Sequence, residues 1–171
     1  MAKGRQEQSV KGAVLGLLAK IAVFALIIWC GLTFVFGLIR IRGNAMFPMA
    51  KDGDLCIFSR LESYGLGDMV FYLTPDGTLT AGRIAALPGH TVDFPEGGGY
   101  TVDGSVPGEE VPYETYADPD ADMTYPLHVE DGQYFILNDL RSDTKDSRSF
   151  GCITDDAIKG KTVFLFRRRS F

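Results

Sequence analysis

Histidine and cysteine are scarce in this 171-residue chain: it has two of the first and three of the second, with no two cysteines close together. That leaves neither the ligand spacing of a zinc site nor a disulfide framework, so no metal and no cofactor is expected. The length excludes a two-domain enzyme of the dinucleotide-binding kind. Twelve Phe, seven Tyr and only 23% charged residues exclude a disordered chain. No internal repeat is visible, and no Lys or Arg occurs between Arg83 and Arg141.

Positive charge is gathered at one end. Residues 1–42 hold six Lys/Arg against the single acid Glu7, whereas residues 43–171 hold eleven against twenty-one Asp/Glu. The net charge of −5 therefore describes neither part. Nucleic acid is excluded as a partner of the acidic part, because phosphate contacts need clustered cations.

Residues 21–39 form a nineteen-residue run without a charge. As a helix it is roughly 28 Å long, about the thickness of a bilayer hydrocarbon core. A cleavable secretory signal has a shorter apolar region of ~7–15 residues and a small-x-small site. A core helix of a soluble domain would be amphipathic, and this run is apolar all round. An uncleaved, single-pass anchor in membrane lipid is the expectation, with residues 1–20 as a basic cytoplasmic N-terminus. Arg40 and Arg42 are a counter-signal to that topology. Residues 40–171 would then be an extracytoplasmic domain.

In that domain, short β-rich runs alternate with turns such as Asp52-Gly53, Pro75-Asp-Gly77 and Pro88-Gly89. No later window sustains helical periodicity for three turns, so the fold class is mainly β. Residues 94–131 differ, with a Gly97-Gly98-Gly99 run and an excess of acids. They read as a solvated, partly mobile acidic insertion, with docking of a basic partner as the alternative. Arg167-Arg168-Arg169 reads as a charged strand end or as a contact to lipid headgroups.

Three stretches in order resemble the bacterial type I signal peptidases (family S26). They are Gly43-Asn-Ala-Met-Phe-Pro48 with Asp52-Gly-Asp54, Gly67-Asp-Met-Val-Phe71 with Gly82-Arg-Ile-Ala-Ala-Leu-Pro-Gly89, and Asn138-Asp-Leu-Arg-Ser-Asp-Thr-Lys-Asp-Ser-Arg148. The resemblance implies a signal-peptidase-like antiparallel β-sheet domain behind one N-terminal transmembrane helix. Active members cut leader peptides with a Ser nucleophile and a Lys base, the latter kept neutral by burial. Carried over by position, the nucleophile falls on Ala45 and the base on Gly82, so neither group of the dyad is present. Lys51, Lys145, Lys159 and Lys161, Ser59, Ser63 and Ser147, and His90 and His128 offer no placed substitute.

Loss of both groups together avoids stranding a buried amine. It fits a natural lineage freed from catalysis, with an engineered knockout as the alternative. The resemblance assigns Asp139, Arg141, Thr144, Asp146 and Arg148 to a network bracing the site. It assigns Gly43, Asn44, Ala45, Met46, Phe47, Pro48, Gly82 and Arg83 to a groove for an extended peptide, although Met46, Phe47, Pro48 and Met49 read equally well as core or membrane-facing residues. Gly43 and the Ala45 N–H are candidate oxyanion-type donors. Thr144 needs a partner other than the absent lysine. Cys56 and Cys152 fit two separate thiols or one disulfide. Degenerate proteins of this kind, with the same two positions lost, act beside sortases in Gram-positive pilus assembly. The expected role is thus a non-catalytic accessory that binds a pilin subunit or sortase. The alternatives are a type I signal peptidase carrying inactivating substitutions and a regulator that binds leader peptides.

Overall fold

The structure is a computed structural model that describes residues 2–108 and 113–168. Arg169 of the basic terminus lies outside the described residues. The chain divides into two units, Met1–Phe36 and Gly37–Phe171.

The first unit is helix α1 (Ala2–Cys30), continued by a wider π-type turn over Gly31–Val35. Within it, Gly12–Val35 is a 24-residue stretch long and apolar enough to cross a membrane, with none of it buried. Lys20 is its only charge, and the polar Thr33 hydroxyl is turned back onto the Trp29 carbonyl at 2.7 Å. The helix takes in the apolar residues 13–19 before the uncharged run of 21–39 and ends within that run. Residues 36–39 leave the helix for strand β1 (Phe36–Arg40). Gly37 lies against the Phe58 ring: a Cβ there would stand 2.1 Å from it, so a side chain at this position would require the ring to shift.

Among its described residues the second unit is built of strands and turns, apart from the one-turn helix α2 (Ser147–Phe150) and a 3-10 turn at Asp155–Ala157. The strands after β1 are β2 (Leu55–Ser59), β3 (Met69–Leu73), β4 (Leu79–Ala86), β5 (Thr91–Asp93), β6 (Thr101–Val102), β7 (Leu127–His128), β8 (Gln133–Leu137), β9 (Ile153–Thr154) and β10 (Ile158–Phe166). A seven-stranded sheet runs β1-β2-β10-β3-β4-β8-β9, and β6-β5-β7 form a smaller one. The paired strands described are antiparallel.

Strand β3 is buried on both faces, which is why Met69–Leu73 is apolar throughout instead of alternating. Met69 and Phe71 enter one cluster with Ile41, Met46, Phe58 and Ala81. Val70 and Tyr72 enter another with Ile84, Ile136, Ile153 and Ile158. A third cluster, around Val92, Tyr100 and Phe135, joins the small sheet to the large one. Three strands separate β1 from β4 in the sheet order, yet Ile41 and Ala81 share the first cluster, so the sheet curls around it.

The acidic insertion is less free than its composition suggests. It contributes β6 and β7, and Thr115 is buried, its carbonyl accepting from Gly99 N–H at 2.8 Å. The Tyr116 carbonyl accepts from Arg148 at 3.1 Å, and the Asp118 carboxylate from the Ser149 hydroxyl at 2.5 Å. Backbone and carboxylate acceptors, which composition does not reveal, hold it down. The cysteines are free thiols, Cys56 buried and Cys152 half-buried, so the disulfide alternative is not realised.

Candidate functional site

The turn after β1 is closed by its own polar groups. Gly43 N–H donates to Asp52 Oδ1 at 2.9 Å, and Asp52 N–H donates to Asn44 Oδ1 at 3.2 Å. The expected oxyanion-type donor at Gly43 is therefore occupied by a carboxylate, which would repel a developing oxyanion. Ala45 is half-buried, and its carbonyl accepts from Leu140 N–H at 2.9 Å, tying this turn to the 138–148 segment. Met46 is 1% exposed and belongs to the core. Phe47 is half-buried beneath the Lys51 ammonium, 5.2 Å from its ring centre.

Gly82 pairs with Val70 across β3 and β4. A Cβ at this glycine would stand 2.4 Å from Ile136 Cγ2 and 3.0 Å from Tyr72 Cε1. The space above Gly82 is thus filled with side chain, not left open. Tyr72 is fully buried, and its hydroxyl has no hydrogen-bond partner among the described residues. Burial, reinforced by the Asp146 and Asp143 charges, pushes its phenol far above the ordinary tyrosine range, so it stays protonated. Neither Tyr72 nor Ile136 was legible as a site residue. Only the strand register brings them over Gly82.

Beside this filled space the charged frame is complete. The Arg83 guanidinium donates to both oxygens of Asp139, Nε to Oδ1 at 2.7 Å and Nη2 to Oδ2 at 2.5 Å, and Nη1 reaches the Gly67 carbonyl at 2.7 Å. Arg148, 1% exposed, donates to both oxygens of Asp146 (2.9 and 2.7 Å) and to the carbonyls of Arg141 and Asp143 (2.9 and 2.8 Å). Asp146 also caps α2, accepting from Arg148 N–H, and accepts from Asn138 N–H. Burial raises the Asp146 pKa, an effect opposed by Arg148 and by these backbone donors. The Arg141 guanidinium lies 5.6 Å from the Tyr100 ring centre. The Ser149 hydroxyl first, then Asp120 N–H and the Thr144 side chain, hold the Asp118 carboxyl below the usual range against the opposing effect of burial.

Ser147 is no free nucleophile, since its buried hydroxyl accepts from Ile136 N–H at 2.9 Å. Lys145 is exposed. No three His, Cys, Asp or Glu converge as metal ligands among the described residues.

Two hollows take their walls from successive parts of β4. The smaller, about 610 Å³, lies between residues 38–42 and 79–81, with Phe71 in its wall. Among the described residues both flanks are free strand edges: β1 ends the sheet, and β8 pairs with β4 only from Arg83 onward. The larger, about 980 Å³, takes Arg83, Ile84 and Ala85 from β4, together with Pro48, Met49 and Asp139. Of the eight residues expected to line one groove, only Pro48 and Arg83 are on these walls. Met46 has gone to the core, and Gly82 has no side chain with which to form a wall.

The sequence pattern of the family described as signal peptidase, peptidase S26, matches residues 14–167. The chain belongs to this family. Signal peptidase IB of Staphylococcus aureus strain COL is 29% identical over 177 residues, covering 92% of this chain and 91% of that protein. A probable signal peptidase I-1 of Synechocystis is 25% identical over 139 residues, 74% of this chain and 68% of its own. A crystal structure of a signal peptidase I from Enterococcus faecalis V583 is similar at 25% identity and a TM-score of 0.49, over 58% of this chain and 97% of that one. The mainly antiparallel sheet with one N-terminal apolar helix is the fold expected of a signal peptidase relative.

Proposed function

We propose that this signal peptidase relative holds an extended polypeptide without cutting it. It is a membrane-anchored, extracytoplasmic accessory of sortase-dependent pilus assembly whose partner is a pilin subunit or sortase. The observation that carries the reading is the packing at Gly82, where Ile136 and Tyr72 occupy the volume into which a basic side chain would project. Ala45 supplies a methyl group where acyl transfer needs a nucleophile, and Gly43 N–H is engaged by Asp52. Meanwhile the Arg83–Asp139 and Arg148–Asp146 pairs keep the frame, and two free strand edges remain open to strand addition.

The test has two parts. Purified full-length protein in detergent should leave a pre-protein uncut, and deletion of the gene should abolish or shorten pilus polymers on immunoblots. Unchanged polymers would refute the pilus role. A second reading, leader-peptide cleavage, is favoured by the names of the relatives. Cutting of the pre-protein at its leader site would establish it instead.

A further inference from the structure

At the edge of the large sheet opposite β1, three segments far apart in sequence bring together two tyrosines and an acid. Tyr134 stands on β8 across from Ile153 of β9, the strand that ends the sheet. Asp155 follows β9 at once, and its N–H donates to the Gly132 carbonyl at 2.8 Å, which fixes this exposed acid beside the start of β8. Tyr64 comes from the turn between β2 and β3, where Gly65 N–H donates to Asp68 Oδ2 at 2.7 Å. The two phenol rings meet edge to face, their planes 85° apart and their centres 5.6 Å apart. Both are half-buried, packed on the core cluster that holds Val70, Ile84 and Ile136.

A ring held edge-on to the face of another leaves a right-angled corner between two π-faces, where a cation lies within about 6 Å of both ring centres. Asp155 adds a negative charge beside that corner. It is hydrogen-bonded to the Tyr134 side chain, and burial first, then the Asp155 charge, push both phenols above the ordinary tyrosine range. Among the described residues Asp155 pairs with no Lys or Arg. The lysines of neighbouring β10 are spent elsewhere: Lys159 Nζ donates to the Asp156 carbonyl at 2.8 Å, and Lys161 pairs with Asp68 at 2.9 Å. We propose that Tyr64, Tyr134 and Asp155 form a docking site for a lysine or arginine side chain of a protein partner. The excess of acids in residues 43–171, twenty-one against eleven Lys/Arg, favours a basic partner. Position argues against a lipid headgroup, because β9 and β1 are opposite edges of the sheet and the membrane-crossing stretch leads into β1. None of the three residues lines either hollow, so the site needs neither the free strand edges nor the non-cutting reading.

The experiment uses the full chain in dodecylmaltoside with meta-fluorotyrosine in place of tyrosine, read by fluorine NMR. Tyr64→Phe and Tyr134→Phe assign the two resonances. The probe is the peptide Gly-Gly-Ser-Lys-Ser-Gly-Gly with both ends blocked, so that lysine is its only charge, and its control carries Gln instead. The lysine peptide should shift the Tyr64 and Tyr134 resonances along one saturable curve, while those of the buried Tyr72 and Tyr100 stay in place. The Gln peptide should shift neither. Asp155→Asn should raise the midpoint about two- to fivefold, the worth of an exposed charge pair. Tyr64→Leu should raise the midpoint read at Tyr134 by about two- to fivefold, the worth of one exposed cation–π contact. Unmoved Tyr72 and Tyr100 resonances in each variant report an intact fold, and if Tyr64→Leu disturbs them, Asp155→Asn decides alone. The proposal is overturned if the lysine peptide shifts neither tyrosine, if the Gln peptide shifts both equally, or if Asp155→Asn leaves the midpoint where it was. It is also overturned if dodecylphosphocholine shifts both and the lysine peptide does not, since the corner then takes a choline headgroup. The proposed function stands in each of these cases.

Discussion

Gly82→Lys, the change that would place an amine where the resemblance implies a base, has to displace Ile136 Cγ2, a branched atom close to the backbone that cannot swing aside. Such overpacking costs about 1–3 kcal/mol, and the added charge among buried apolar groups adds to it. Thermal unfolding of Gly82→Lys should therefore begin several degrees below the parent, with Ile136→Ala in the same chain recovering part of the loss. Ala45→Ser adds one oxygen at a half-buried turn and should be within about 0.5 kcal/mol of the parent. The Ala45→Ser, Gly82→Lys pair should show no cleavage of a pre-protein. That residues 43–48 and 82–89 hold Ala45 and Gly82 where the resemblance implies a hydroxyl and an amine was plain in the sequence. What filled their place was not, because Tyr72 and Ile136 belong to strands ten and fifty-four residues away from Gly82.

Cys152 carries a pH prediction at the same scale. Burial first, then the Glu130 charge, push its thiol up to about 11. Below pH 9 its thiolate fraction is about 100-fold smaller than that of a thiol at the ordinary 9.0, so iodoacetamide labelling at pH 8, mapped by mass spectrometry, should be correspondingly slow. Because the folded-state value is the higher one, the stabilisation from burying the neutral thiol is present below about pH 9. It is lost as pH rises through about 11.

Between elements, the 138–148 segment acts as a clamp. Arg148 satisfies Asp146 and three carbonyls, those of Tyr116, Arg141 and Asp143. Arg148→Met would leave a buried carboxylate and those acceptors unmatched, a loss of about 3–5 kcal/mol by denaturant unfolding. Arg83→Met should cost less, since Arg83 keeps 18% of its side chain in water. The clamp also holds the acidic insertion. Ser149→Ala removes the donor to Asp118 and should speed limited proteolysis within residues 113–124, while β3, β4 and β8 stay protected. The charged residues of this clamp were legible as a set. Their attachment to residues 116–118 was not, because it joins the Tyr116 main-chain carbonyl and the Asp118 carboxylate to partners about thirty residues further along the chain.

For the whole molecule, the 24 residues of Gly12–Val35 and the basic residues before them lead us to expect the β unit outside the cell. A cysteine placed at Asp76, in the exposed turn between β3 and β4, should react with a membrane-impermeant maleimide on intact cells well above the background of the parent. Labelling only after lysis would reverse the topology.

Local chemistry was enough to settle several features. A long uncharged run must be a helix when it leaves water, and turn residues at short spacing break the rest into strands. These depend on neighbours in the chain or on single side chains. The filled space over Gly82, the Gly43 N–H taken by Asp52 and the docking of the acidic insertion were decided only by the fold. Each depends on strand register or loop closure, where a shift of one residue turns a side chain from one face to the other.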